Sequence, residues 1–188
     1  DPRPDALAAP YTFFLPHEIE LAALRVGDLV KMAFEWELPV VEYEAERMWV
    51  TIMQIGSSQL MGTLDNEPYE KDRMNVGDAV YFQRHNILAV QFADPAPDVQ
   101  IPEYREYWER CLVDDCVLYE GVRVEFIYRE EPHMAEDGDT YPDSGWRIRG
   151  IQGDATDEEM ENRKHSYVAL GAVLNKDDSW LPLIDSPV

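Results

Sequence analysis

Glu46-Arg47-Met48-Trp49-Val50-Thr51-Ile52-Met53-Gln54-Ile55, broken by Gly56-Ser57-Ser58, is dense in residues that suit a pleated surface and ends in a turn signal, so it reads as a β-strand. The same period of two recurs on either side. Gly27-Asp28 leads into a strand over Leu29 to Trp36, Gln59 to Leu64 gives a third, and Asp65-Asn66-Glu67-Pro68 is turn chemistry. Gly77-Asp78 opens Ala79 to Phe82, and Ile87 to Phe92 closes the series. Short strands at this spacing predict a small antiparallel β barrel or rolled sheet over 17–92. Before it, residues 1–16 are Pro-rich and read as an arm, and His17 to Leu24 as a short helix.

Residues 93–103, with Pro95 and Pro97, read as an extended linker. From 104 to 188 helix and strand patterns mix, which predicts an α+β domain. Tyr104 to Arg110 is read as a helical turn. Asp114-Asp115 is read as the N-cap of a helix that runs through Tyr119 and stops at Gly121. Val122 to Tyr128 alternates as a strand with Val122, Val124, Phe126 and Tyr128 on one face, and Trp146 to Ile151 is a strand with Trp146, Ile148 and Gly150 on one side. His133 to Pro142 is acidic and reads as a mobile loop. Asp157 to Lys164 is a polar helix or loop, and Tyr167 to Leu174 a short helix. The fold class is therefore α+β, a β-rich part followed by a mixed one.

The 188 residues carry 16 Lys and Arg against 38 Asp and Glu, a formal charge of −22. The excess runs through both halves, −9 as far as Pro97 and −13 beyond it. Such a surface repels phosphate and anionic headgroups and attracts basic partners, so nucleic acid and membranes are not expected as partners. No apolar run is long enough for a membrane helix and no signal peptide is visible, although the sequence opens at Asp1 without a Met and leaves room for an upstream segment. Two cysteines, Cys111 and Cys116, in a chain of this length point to reduced thiols and a cytoplasmic setting.

Reaction chemistry has little to stand on. Glu136-Asp137-Gly138-Asp139 with Asp143 lacks the ligand spacing of a calcium loop, and no Cys-x-x-Cys or His-x-x-x-His pair offers a metal site. Ser144 lacks a nucleophile elbow, and no Gly-rich phosphate loop is present. No catalytic residue, metal or cofactor is expected. The most informative segment is Tyr128-Arg129-Glu130-Glu131-Pro132, followed by Asp143-Ser144-Gly145-Trp146-Arg147, where a tight turn would deliver a Trp and an Arg into the next strand. One reading is structural, with Arg129 or Arg147 pairing the Glu residues and Trp146 in the core. The other is a binding face, because Trp and Arg anchor interfaces.

Those two motifs, with Gly153-Asp154, Glu158-Glu159-Met160 and Leu181-Pro182-Leu183-Ile184-Asp185-Ser186-Pro187, resemble a bacterial immunity-protein domain of polymorphic-toxin systems, the thirty-third class, over about Cys111 to Val188. Against that pattern the stretch from Pro132 to Asp143 is an enlarged acidic insertion, and the sequence stops soon after Pro187. Gly27-Asp28-Leu29-Val30-Lys31, Glu46-Arg47-Met48-Trp49-Val50, Gly62-Thr63-Leu64-Asp65-Asn66-Glu67-Pro68 and Gly77-Asp78-Ala79-Val80 resemble a small uncharacterised bacterial domain that often stands beside such immunity domains.

The resemblance implies a non-catalytic protein that binds and neutralises a cognate toxin. The charge adds that the toxin would be basic, such as a nuclease. The partner-binding residues expected on this reading are Trp146 and Arg147 as anchors, with Glu130, Glu131, Glu136, Asp137, Asp139 and Asp143 supplying charge. The alternatives are a general protein- or ligand-binding regulatory module without a toxin partner and, behind it, an enzyme with an unrecognised site.

Overall fold

A computed structural model describes residues 1–35, 45–69 and 73–186. The chain divides into two compact units, Asp1–Leu7 with Phe14–Glu103 and Ala8–Phe13 with Tyr104–Val188.

All but the last residue of α1 (Arg3–Ala8) belongs to the first unit, and the helix lies within the stretch read as an arm. The helix α2 (Glu18–Ala22) starts where His17 accepts the Ile19 N–H and Glu20 reaches back to the His17 N–H, so two otherwise orphaned donors are satisfied. Five strands follow: β1 (Leu29–Glu35), β2 (Ala45–Ile55), β3 (Leu60–Leu64), β4 (Ala79–Phe82) and β5 (Ile87–Gln91). Trp36, the expected end of β1, lies outside the described residues. The strands pair antiparallel in the order β4-β3-β2-β1-β5.

A closed barrel is not formed. Among the described residues β4 and β5 each have one strand neighbour. The sheet is nevertheless far from flat. The register places Phe82 level with Ile55, through Leu60, and Ile87 level with Met48, through Met32. On a flat sheet those points would lie about 19 Å apart across the strands and about 23 Å along them. The link from Phe82 to Ile87 reaches at most about 18 Å, and part of it is wound into a 3₁₀ turn at Arg84–Asn86. Only a curled sheet satisfies both distances. The shift of register between Ile52 and Gln54 is where β2 can bend.

The concave side is the core, with Val30, Met32, Met48, Val50, Ile52, Leu60, Leu64, Val80, Phe82 and Ile87 buried and Leu24 joining them. Each of the larger side chains contributes about 1.5–3 kcal/mol by leaving water. Gly62 sits where a Cβ would collide with the Thr51 carbonyl and the Val50 side chain, so a bare backbone is needed for β2 and β3 to pack at this point.

The second unit holds β6 (Arg110–Asp114), α3 (Asp115–Tyr119), β7 (Val124–Arg129), β8 (Asp143–Gly150), α4 (Asp157–Glu161), β9 (His165–Ala169) and α5 (Leu170–Leu174). The sheet order is β7-β8-β6-β9, with β6 and β8 parallel and the other neighbours antiparallel. One face is apolar. Cys111, Val113, Trp146 and Ile148 are covered by Val117 and Leu118 of α3, by Leu170, Val173 and Leu174 of α5, and by Trp180 and Ile184. Trp146 and Trp180 meet edge to face with ring centroids 6.2 Å apart.

Three expectations are corrected here. Tyr104 to Arg110 is not helical: the Tyr107 and Glu109 carbonyls accept the Gly171 and Leu170 N–H groups, and Arg110 already belongs to β6. Residues 167–169 extend as the end of β9 before α5 begins. On β7, a register shift between Val124 and Phe126 inserts one residue and reverses the alternation. Val124 and Ile127 pack toward the core, whereas Phe126 and Tyr128 stand exposed. By contrast, α3 runs through Tyr119 as read, and Trp146, Ile148 and Gly150 are all buried.

Candidate partner-binding face

The opposite face of the second sheet is polar, and cross-strand pairing organises it into rows. Tyr128, Arg147, Leu112 and Tyr167 form one row across β7, β8, β6 and β9. Phe126 beside Arg149, and Asp114 beside His165, form the next.

Arg147, 2% exposed, is the centre of the first row. Its two terminal nitrogens donate to the two oxygens of Asp143 at 3.0 and 2.9 Å, and Nε donates to Glu130 at 3.1 Å. Asp143 also accepts N–H groups from Gly145, His133 and Met134, at 2.9 to 3.2 Å. Burial alone would push the Asp143 carboxyl upward. The Arg147 fork and the three backbone donors outweigh it and hold the group well below the usual carboxylate range. The same pairing with Asp143 raises Arg147. The sharp turn expected before β8 is instead part of the strand. Gly145 takes φ +78° and leaves no room for a Cβ beside the Glu130 carbonyl.

Asp114, fully buried, is the centre of the second row. It lies 2.9 Å from Arg149 Nε, 3.2 Å from Arg163 and 3.1 Å from His165 Nε2, and it accepts the Gly150 N–H at 3.0 Å. As N-cap of α3 it makes no side-chain capping bond, because the carboxylate is turned into this cluster. The sequence reading missed it. The available signal was Arg147-Ile148-Arg149, which places two guanidinium groups on one face of a strand whose other face is core, so buried acids are required to meet them.

A third pair fixes the acidic connection between β7 and β8. Arg110 makes a fork to Asp139, which lowers Asp139 and raises Arg110, and the Arg110 guanidinium also lies 5.4 Å over the Tyr141 ring. With Asp143 gripping the backbone at His133 and Met134, the connection is tied at both ends and near its tip.

The expected site residues thus separate. Glu131, Glu136 and Asp137 are exposed, Glu130 is exposed but engaged by Arg147, and Asp139 is half-buried against Arg110. Asp143, Trp146 and Arg147 are buried. Anchoring a partner does not suit the last three, whose surfaces are already spent on one another and on the core. Asp143 and Arg147 hold the acidic connection in place, and Trp146 packs on the opposite face of the strand in the core.

Among the described residues no three His, Cys, Asp or Glu side chains gather as a metal site would need. Both cysteines are free, and burial raises both thiols, Cys111 to about 12, which leaves neither as a ready nucleophile. No helix among the described residues is long and apolar enough to cross a membrane.

Comparison with known families gives two matches. Residues 111–188 match the model described as Immunity protein Imm33 domain. Residues 21–94 match that of an uncharacterized protein conserved in bacteria, DUF2314. No curated protein and no solved structure matched the chain.

Proposed function

We propose that this chain, which carries an Imm33 immunity domain behind a DUF2314 domain, binds and neutralises a cognate bacterial toxin in the cytoplasm without catalysing a reaction. The observation that supports this most is the match over 111–188, which spans α3, β7, β8, β9, α5 and both buried ion clusters. The geometry agrees with a binder. Glu131, Glu136 and Asp137 project from a connection whose backbone is held by Asp143–Arg147 and Arg110–Asp139, so little ordering cost remains when a partner arrives.

With a net charge of −22, the favoured toxin is basic, such as a nuclease. Carboxylates at 131, 136 and 137 would steer the encounter and stand where substrate phosphates would otherwise sit. Co-expression with the toxin encoded beside this gene, followed by gel filtration, tests the reading. The expected result is a stable complex and a silenced toxin, and a fully active toxin with no complex refutes it. Within a complex, the triple variant E131Q/E136Q/D137N is expected to slow association about tenfold at low salt and far less at high salt, measured by stopped flow.

A further inference from the structure

The bulge in β7 turns two large aromatic side chains away from the core of the unit. Phe126 is 60% exposed and Tyr128 37%, and their rings pack together with centroids 5.6 Å apart. Neither has a role in the ion clusters. Apolar rings left in water on an edge strand cost solvation that the fold does not recover.

Beside Phe126 opens a cleft of about 400 Å³, walled by β7 and α4. Its apolar lining is Phe126 and Met160, and its carboxylates are Glu125, Asp157 and Glu161. The cation in the lining, Arg149, is turned toward Asp114, which it shares with Arg163, and toward the Met160 carbonyl. Glu125 and Asp157 accept hydrogen bonds from the Gln152 backbone and side-chain amide, which are neutral donors, so among the described residues three carboxylates line the cleft against one guanidinium and leave it net negative. An aromatic side chain beside carboxylates in excess over cations is suited to one kind of partner side chain. A guanidinium is flat, stacks on a ring, and offers its edge as a fork to a carboxylate. An ammonium would use the charge but not the shape.

We propose that the cleft between β7 and α4 receives an arginine side chain of the toxin, stacked against Phe126 and bonded to Glu161 and Asp157. This rests on the immunity reading and deepens it by naming the recognised group and a surface apart from the acidic β7–β8 connection.

The test titrates the full chain, labelled with ¹⁵N, with a hexapeptide of arginine and with its lysine and citrulline counterparts. The arginine peptide is expected to shift the amides of Glu125 to Tyr128 and of Asp157 to Glu161. It should bind about threefold or more tightly than the lysine peptide, and citrulline should give no shifts. Phe126→Ala, at an exposed position, should remove the preference for arginine over lysine, and Glu161→Gln should weaken both peptides. Equal binding of arginine and lysine peptides, or shifts confined to other acidic segments, would overturn the proposal. Toxin capture separates the two readings. A toxin held equally by the wild type and by Phe126→Ala removes the cleft and keeps immunity, whereas a toxin that is never captured removes immunity and leaves the cleft to the peptide result.

Discussion

The two sheets solve the same problem by different means. The first curls until its concave side encloses an apolar core, so hydrophobic alternation defines its faces almost unaided. The second is a four-stranded sheet with helices against it. It buries one face under α3 and α5 and closes much of the other with Arg147–Asp143–Glu130 and with Arg149, Arg163 and His165 around Asp114. Apolar contacts tolerate small errors of placement. Buried ion pairs do not, because losing one partner strands the other charge in a medium that cannot solvate it.

The contrast can be broken most directly at Arg147. Arg147→Met is expected to cost about 3–5 kcal/mol by urea unfolding, with hydrogen exchange rising first in β7 and β8. A cost below about 1 kcal/mol would mean that the second sheet does not depend on this cluster. Adding Asp143→Asn should recover part of the loss, since the amide oxygen still accepts backbone N–H groups without bringing a charge. In the first sheet, Ile52→Ala should cost about 2–5 kcal/mol through a cavity, with exchange rising in β1 to β3 instead.

Gly145→Ala sharpens the comparison on backbone grounds. It forces both a left-handed φ and a collision with the Glu130 carbonyl, at an expected cost of about 1–3 kcal/mol. Acid gives a graded version of the Arg147 experiment. The Asp143 carboxyl is depressed on folding, so its stabilisation is complete above the range in which a free aspartate titrates and is lost as pH falls through that range toward the folded value. Asp143→Asn should flatten that part of the stability-versus-pH curve. The smallest effect belongs to Thr156→Ala, which removes the capping box of α4 and should cost about 1 kcal/mol locally.

How far the sequence could be read follows the same division. The strands β1 to β5 were legible because apolar residues recur every second position between turn signals. Strand β8 was legible for the same reason, through Trp146, Ile148 and Gly150. In β7 the periodicity misled, since one inserted residue exchanges the two faces and no residue type announces it. Tyr104 to Arg110 misled as well: its aromatic spacing suits a helix, but its carbonyls are claimed by the start of α5 from far along the chain.

At the candidate site, the acidic connection stood out by composition, and the motifs that flank it offered Arg129 or Arg147 as the partner of the Glu residues; the structure pairs Arg147 with Glu130. The Asp114 cluster did not, because Arg149, Arg163 and His165 meet it only after three separate segments are brought together. The local signal of Arg147-Ile148-Arg149 asks for a buried acid but does not say which one topology will supply.

The pairing of Leu29 with Gln91 means that the polypeptide enters and leaves the curled sheet side by side. A module whose two ends are neighbours can be spliced into a host chain, or cut out of it, without stretching the host. Here the sheet lies in sequence between Ala8–Phe13 and Tyr104–Val188, which belong to one unit, while Asp1–Leu7 is grouped with the sheet.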